Sequence, residues 1–191
     1  MIEKNIDYQR VLTFLGHKNA AIPSNLEALI KDIMQEVIEL SHVKFCHLKT
    51  DHSSLPVSHQ DVILMGITLG AELDQKIRFY EKTDVTKAII ADAAANALME
   101  EVVSQLEKNF PMYSSLMCPG NQDIPMEWNQ IIANSLDTPK RIGLYVTEQY
   151  GLIPQKSLIG LMYPVNGQQC KEEKCNRCTL NCKYRKKRYK Q

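Results

Sequence analysis

The chain has 191 residues, 44% of them hydrophobic and 24% charged, with six cysteines and a formal net charge of +1. These values suit one globular domain with a substantial core, and they exclude a low-complexity or highly charged disordered chain. The longest apolar run, around "VILMGI", is far short of a membrane span, and "MIEKNIDYQR" at the start has no apolar signal-peptide core. The expectation is therefore a cytoplasmic chain with no membrane segment, in a compartment where structural disulfides are rare. Charge is uneven. Positions 171–191 hold nine Lys plus Arg against two Glu, a net of +7, which leaves 14 basic and 20 acidic residues, a net of −6, in positions 1–170. An acidic body with a basic end suggests either an anionic partner for that end or a solubilising tail.

"PSNLEALIKDIMQEVIEL" predicts a helix, with Ser24 and Glu27 spaced as a capping box and Leu26, Leu29, Ile30, Ile33, Val37 and Leu40 on one stripe. "HVKFCHLKT" alternates as a strand does. "DVILMGITLG" reads as a buried strand ending at Gly70. A helix over about 71–80 follows, then a long one over about 84–108, capped by Thr83 or Asp84. The alanines of "AIIADAAANALMEE" let neighbouring backbones approach closely. Pro111, Pro119, Gly120 and Pro125 make the next stretch a loop. A helix over about 126–136 precedes two apolar strands, "RIGLYVTE" and "KSLIGLMYPV". This order predicts an α+β domain over residues 1–165 and a Cys-rich basic tail over 166–191, without a βαβ series.

Four of these segments, in order, carry a family resemblance: "YQRVLTFLGHK", "VILMGITLGAELDQKI", "ADAAANALMEE" and "SLDTPKRIGLYVTEQYGLIPQKSLIGLM". Over roughly residues 5–165 the chain resembles the activation domain of vitamin B12-dependent methionine synthase, in its short stand-alone form. The resemblance implies an antiparallel sheet flanked by helices and an S-adenosylmethionine site that works beside a cobalamin domain. There, inert cob(II)alamin is reduced by an electron donor and methylated by S-adenosylmethionine. A stand-alone copy would serve a separate partner that holds the cobalamin, either a corrinoid protein or a methionine synthase lacking its activation domain.

The ligand loop implied by the resemblance maps onto "LMCPGNQD", making Cys118, Pro119, Gly120 and Asn121 site candidates. Gly120 permits close backbone approach. Leu116 stands where the family has an arginine and Asn121 where it has a tyrosine, so a charged fork and an aromatic face are both missing. On the alanine-rich helix, Asp92 and Asn96 lie one turn apart on a shared face, with Asn96 where the family has a glutamate. They read as contacts to a ligand's amino or ribose groups, or as a solvated stripe or interhelical hydrogen bond. Thr147 and Glu148 match the family's strand-end pattern and read as ligand contacts or strand caps. The departures predict weak S-adenosylmethionine binding.

Cys170, Cys175, Cys178 and Cys182 are spaced C-x4-C-x2-C-x3-C, a compact set suited to an iron–sulfur cluster or zinc, with the cluster favoured over a two-knuckle zinc ribbon. Lys174, Arg177, Lys183 and Arg185 would favour the thiolates and offset cluster charge. Cys46, mid-strand, reads as a small buried hydrophobe, and Cys118 as a plain loop residue, a ligand or a reactive thiol. His17, His42, His47, His52 and His59 match no metal-helix spacing. Two further functions fit parts of the chain: a metal-cluster electron carrier to a corrinoid protein, and a nucleic-acid-binding module. The second rests on the tail alone, since no aromatic-interleaved basic patch occurs elsewhere.

Overall fold

The apolar run 62–68 forms a central strand because other elements cover both of its faces. A computed structural model describes residues 2–17, 22–50, 61–121 and 124–164. In chain order its elements are α1 (Tyr8–Phe14), α2 (Ser24–Leu40), β1 (Lys44–Thr50), β2 (Val62–Thr68), α3 (Ala71–Thr83), α4 (Val85–Glu107), α5 (Trp128–Leu136), α6 (Thr138–Ile142), β3 (Tyr145–Val146), β4 (Leu152–Ile153) and β5 (Ser157–Met162). The fold is α+β. Strands β1, β2 and β5 make an antiparallel sheet in the order β1-β2-β5, and β3 pairs with β4 in a separate ribbon.

Strand periodicity splits β2 between two cores. Ile63, Met65 and Ile67 pack with helices α1 to α4, whereas Val62 and Leu64 pack with Trp128, Ile132 and Leu136 of α5 and Ile142 of α6. Strand β5 divides the same way, with Ile159 and Leu161 toward α5 and Met162 toward the larger core. Gly66 is the gap that seats α6. A Cβ there would lie 3.2 Å from the Thr138 methyl and 3.4 Å from Ile142 Cδ1.

Helix α4 is the hub of the larger layer and packs on α1, α2 and α3. Its start is fixed by Asp84, whose carboxylate accepts from the Lys87 amide at 3.1 Å. Ala88, Ala91, Ala93, Ala94, Ala95 and Ala97 are all buried, so small side chains bring its neighbours close on nearly every side.

Several expectations need correction. No Ser24 capping box forms. Pro23 is the N-cap, Ser24 is already helical, and no side chain caps the end; Glu27 instead pairs with Lys31 at 2.7 Å. "RIGLYVTE" is mostly not strand. Pro139 opens the short helix α6, Gly143 closes it in the left-handed region at φ 70°, and only Tyr145–Val146 is extended. Helix α1 has no counterpart in the elements read from sequence. Asp7 caps it by accepting from the Gln9 amide at 2.9 Å, and Arg10 reaches across to Glu100 at 2.6 Å.

The loop after α4 adds to the sheet. Met117 and Leu161 exchange both backbone hydrogen bonds at 2.9 Å, and Ser114 donates its amide to Tyr163. No helix among the described residues is long and apolar enough to cross a membrane.

Candidate functional site

The polar pair on α4 lies in a wall of alanine. Helical spacing puts Asp92 and Asn96 on one face, and the Asn96 amide donates to Asp92 Oδ2 at 3.0 Å. A third group completes the cluster. Lys156 Nζ donates to Asp92 Oδ1 at 2.6 Å and to Asn96 Oδ1 at 2.8 Å. The Lys156 side chain is only 15% exposed, whereas that of Asp92 is 51% exposed.

Lys156 stands just before β5 and is held there by its backbone. Asp74 of α3, 7% exposed, accepts from the amides of both Gln155 and Lys156. Next along the chain, the Ser157 hydroxyl donates to Thr68 Oγ1 at 2.9 Å, and Thr68 Oγ1 accepts from the Gly70 amide. These contacts tie the end of β2, the start of α3 and the start of β5 into one polar seam beside α4.

Asp92 and Asn96 line a cleft of about 480 Å³ between α1, α3 and α4. Its other lining residues are Phe14, Ile77, Glu81, Val85, Ala88, Ile89 and Ala93. Val85 and Ile89, one turn apart, are 63% and 56% exposed, so the cleft presents apolar surface to solvent. Arg10 stacks 4.5 Å over the Phe14 ring while it pairs with Glu100, which fixes that wall.

Other sequence candidates lie elsewhere. Cys118, Pro119, Gly120 and Asn121 form a tight turn in which Asn121 N donates to Cys118 O and Gly120 N to Ile124 O. Gly120 takes φ +81°, and a Cβ there would meet Met126 Sδ at 2.4 Å. None of the four lines the cleft. Leu116, beside them, is buried in the larger core. Thr147 organises the β3–β4 turn: its amide donates to Gly151 O, and its hydroxyl accepts from the Gly151 amide at 3.0 Å. Glu148 is exposed on that turn. Because β3 and β4 pack with the α5 layer, Thr147 and Glu148 belong to the opposite side of the sheet from α4.

Among the described residues no group of three or more His, Cys, Asp or Glu is placed to hold a metal. Cys46 is buried mid-strand, and burial pushes its thiol pKa up against a smaller pull from the Arg141 cation. It is a packing residue. His17, His42 and His47 are exposed. His52, His59, Cys170, Cys175, Cys178 and Cys182 lie outside the described residues.

Lys156 and Asp74 were not singled out from sequence. Asp74 did leave a signal, since it sits next to Leu73 and three residues before Ile77, on the buried face of α3. Lys156 left only a charge standing directly ahead of an apolar strand.

No family model matches this sequence, and no curated protein is similar to it. Solved structures do match in fold. One is the crystal structure of the MetH reactivation domain bound to AdoHcy, with a TM-score of 0.60 over 85% of this chain and 71% of that chain, at 14% identity. At that identity the likeness establishes the shared fold.

Proposed function

We propose that this chain is an accessory protein that supports reductive remethylation of a cobalamin held by a separate corrinoid protein, with a S-adenosylmethionine-type ligand in the α1–α3–α4 cleft. The observation that carries this reading is the fold itself, shared with a reactivation domain crystallised with AdoHcy. A half-exposed carboxylate beside an apolar cleft is the local feature that suits such a ligand. In the proposed reaction a donor supplies one electron to the partner's cob(II)alamin, and S-adenosylmethionine then transfers its methyl group to the reduced cobalt and leaves as AdoHcy.

The chain's own part is binding and positioning. Phe14, Val85 and Ile89 offer apolar surface for the ligand's body, and Asp92 can accept from its ammonium group. Leu116 and Asn121 do not line this cleft, so its own residues set the affinity, which should be low because Asp92 is half-exposed to solvent. One solvent-screened charged contact and an open apolar wall give an expected Kd of about 1 mM. Calorimetric titration with S-adenosylmethionine and AdoHcy tests this. The expected result is about millimolar binding that Asp92→Ala weakens further. No binding of either compound at several times that concentration would contradict the reading, and a low-micromolar Kd would contradict the weak site.

A second reading rests on the spacing of Cys170, Cys175, Cys178 and Cys182. An iron–sulfur cluster there would make the tail a one-electron carrier to the same corrinoid partner, whereas zinc would make it a structural clip. Metal analysis and visible spectra of anaerobically purified protein separate the two. Iron and sulfide with colour lost in Cys178→Ser supports the carrier. Four freely titrating thiols and no metal would contradict both.

A further inference from the structure

Apolar side chains line most of the α1–α3–α4 cleft, yet the charge on its lining is all of one sign. Glu81 and Asp92 line it, and no Lys, Arg or His does. Glu81 is exposed and has no hydrogen bond or ion pair among the described residues. Val85, Ile89 and Asp92 follow one another at helical spacing, so exposed apolar and acidic groups share one stripe of α4. A segment that mixes aromatic and basic side chains matches such a stripe, whereas a second copy of the cleft would set carboxylate against carboxylate.

The chain carries one such segment. Residues 183–190 read KYRKKRYK, six cations around Tyr184 and Tyr189, and positions 1–170 hold 14 basic against 20 acidic residues. Reach is sufficient. The described chain runs along β5 to Pro164, eight residues beyond Lys156, whose ammonium pairs with Asp92. At strand spacing those eight residues place Pro164 about 26 Å from the cleft. Twenty residues lead from Pro164 to Tyr184 and span at most about 70 Å. A tether a few times longer than its span keeps the local concentration on the order of millimolar.

We propose that residues 183–190 dock into the α1–α3–α4 cleft of their own chain, with Tyr184 against Val85 and Ile89 and the neighbouring cations against Glu81 and Asp92. Asp92 already pairs with Lys156, so Glu81 is the carboxylate with most to gain. The docked segment covers the apolar surface that Val85 and Ile89 otherwise present to solvent. The inference goes beyond the ligand reading and does not rest on it. A docked segment and a bound ligand exclude one another, so the contact acts as a brake on access to the cleft.

The experiment places the photo-cross-linker p-benzoylphenylalanine at position 184 of the full chain, with no ligand added, and maps the products by mass spectrometry. The expected product is a monomer cross-linked to the Val85–Asn96 stretch of α4 or to the facing residues of α1 and α3. Raising NaCl from about 0.05 M to about 0.5 M shrinks the Debye length about threefold and should lower the yield severalfold. Glu81→Lys, which turns one attraction into a repulsion, should lower it about fivefold. Ile89→Ser should lower it by a similar factor through lost apolar contact. Both positions are exposed, so circular dichroism should report an unchanged fold. Cross-links scattered over other faces would overturn the inference, as would a yield indifferent to salt and to Glu81→Lys. A product found only in cross-linked dimers would overturn it too, by assigning the segment to the cleft of a second copy. None of these outcomes bears on S-adenosylmethionine binding, which the titration above decides separately.

Discussion

Replacing Asp74 with alanine should destabilise the fold more than any other single polar change on α3. Asp74 is 7% exposed and accepts from two backbone amides, those of Gln155 and Lys156. Hydrogen bonds to a charged group contribute about 1.5–3 kcal/mol each, and the orphaned amides would need new partners. Water can reach part of the turn, so the two losses will not add fully. The expected net cost is about 3 kcal/mol. For a chain of this size that is about 6–12 °C in Tm. Urea and thermal unfolding followed by circular dichroism give the number. Hydrogen exchange supplies the local reading, since the Lys156 amide should lose protection in Asp74→Ala while the amides of β2 keep theirs. A change below about 0.5 kcal/mol, with Lys156 still protected, would refute the argument that this carboxylate holds the start of β5.

Gly160→Ala should disrupt the added sheet edge, because the new Cβ would lie 2.5 Å from Met117 O and 2.9 Å from Leu116 Cδ1. The expected cost is about 2 kcal/mol or more, read by urea unfolding, and a neutral substitution would show that the Leu116–Met117 segment shifts freely. Glu36 gives a pH prediction. Burial alone would raise its pKa, but hydrogen bonds from Lys76 and Tyr80 outweigh it and leave the carboxyl below its ordinary value. An acid depressed by folding adds stability above its unfolded pKa of about 4.3, and that stability disappears as pH falls through the folded value. The urea midpoint of wild type should therefore drop more between pH 6 and pH 3 than that of Glu36→Gln; equal drops would show that the Lys76 and Tyr80 contacts contribute nothing.

Legibility in the sequence followed how local the deciding interaction was. The strand 62–68 is readable because an unbroken apolar run of that length must be covered on both faces, and its two cores are what cover it. The long α4 is readable from its alanines and from Asp84 as its cap. Helix α1 was not, since seven residues with Val11 and Leu12 buried hardly establish a period. "RIGLYVTE" misled because Ile142, Leu144 and Val146 alternate as in a strand, whereas Pro139 and Gly143 bound a helical turn there. The Ser24 capping box failed because Pro23 takes the cap position one residue earlier.

The candidate site divides along the same line. That Asp92 and Asn96 touch follows from helical spacing alone. That Lys156 joins them does not, because the contact spans 64 residues and depends on where β5 begins. Thr147 shows the converse. Its hydrogen bonds are spent within the β3–β4 turn, a local role that the residue type permits but the sequence did not distinguish from ligand contact.

The central claim is that this chain acts in trans on another protein's cobalamin. The direct measurement adds it, with a reductant and S-adenosylmethionine, to a methionine synthase that lacks its activation domain and is loaded with cob(II)alamin. The absorbance of methylcobalamin is then followed with time. The account predicts that methylcobalamin appears faster with the chain than without it, and that Asp92→Ala slows the gain. An identical time course with and without the chain, on this and on any corrinoid protein encoded beside it, would contradict the account.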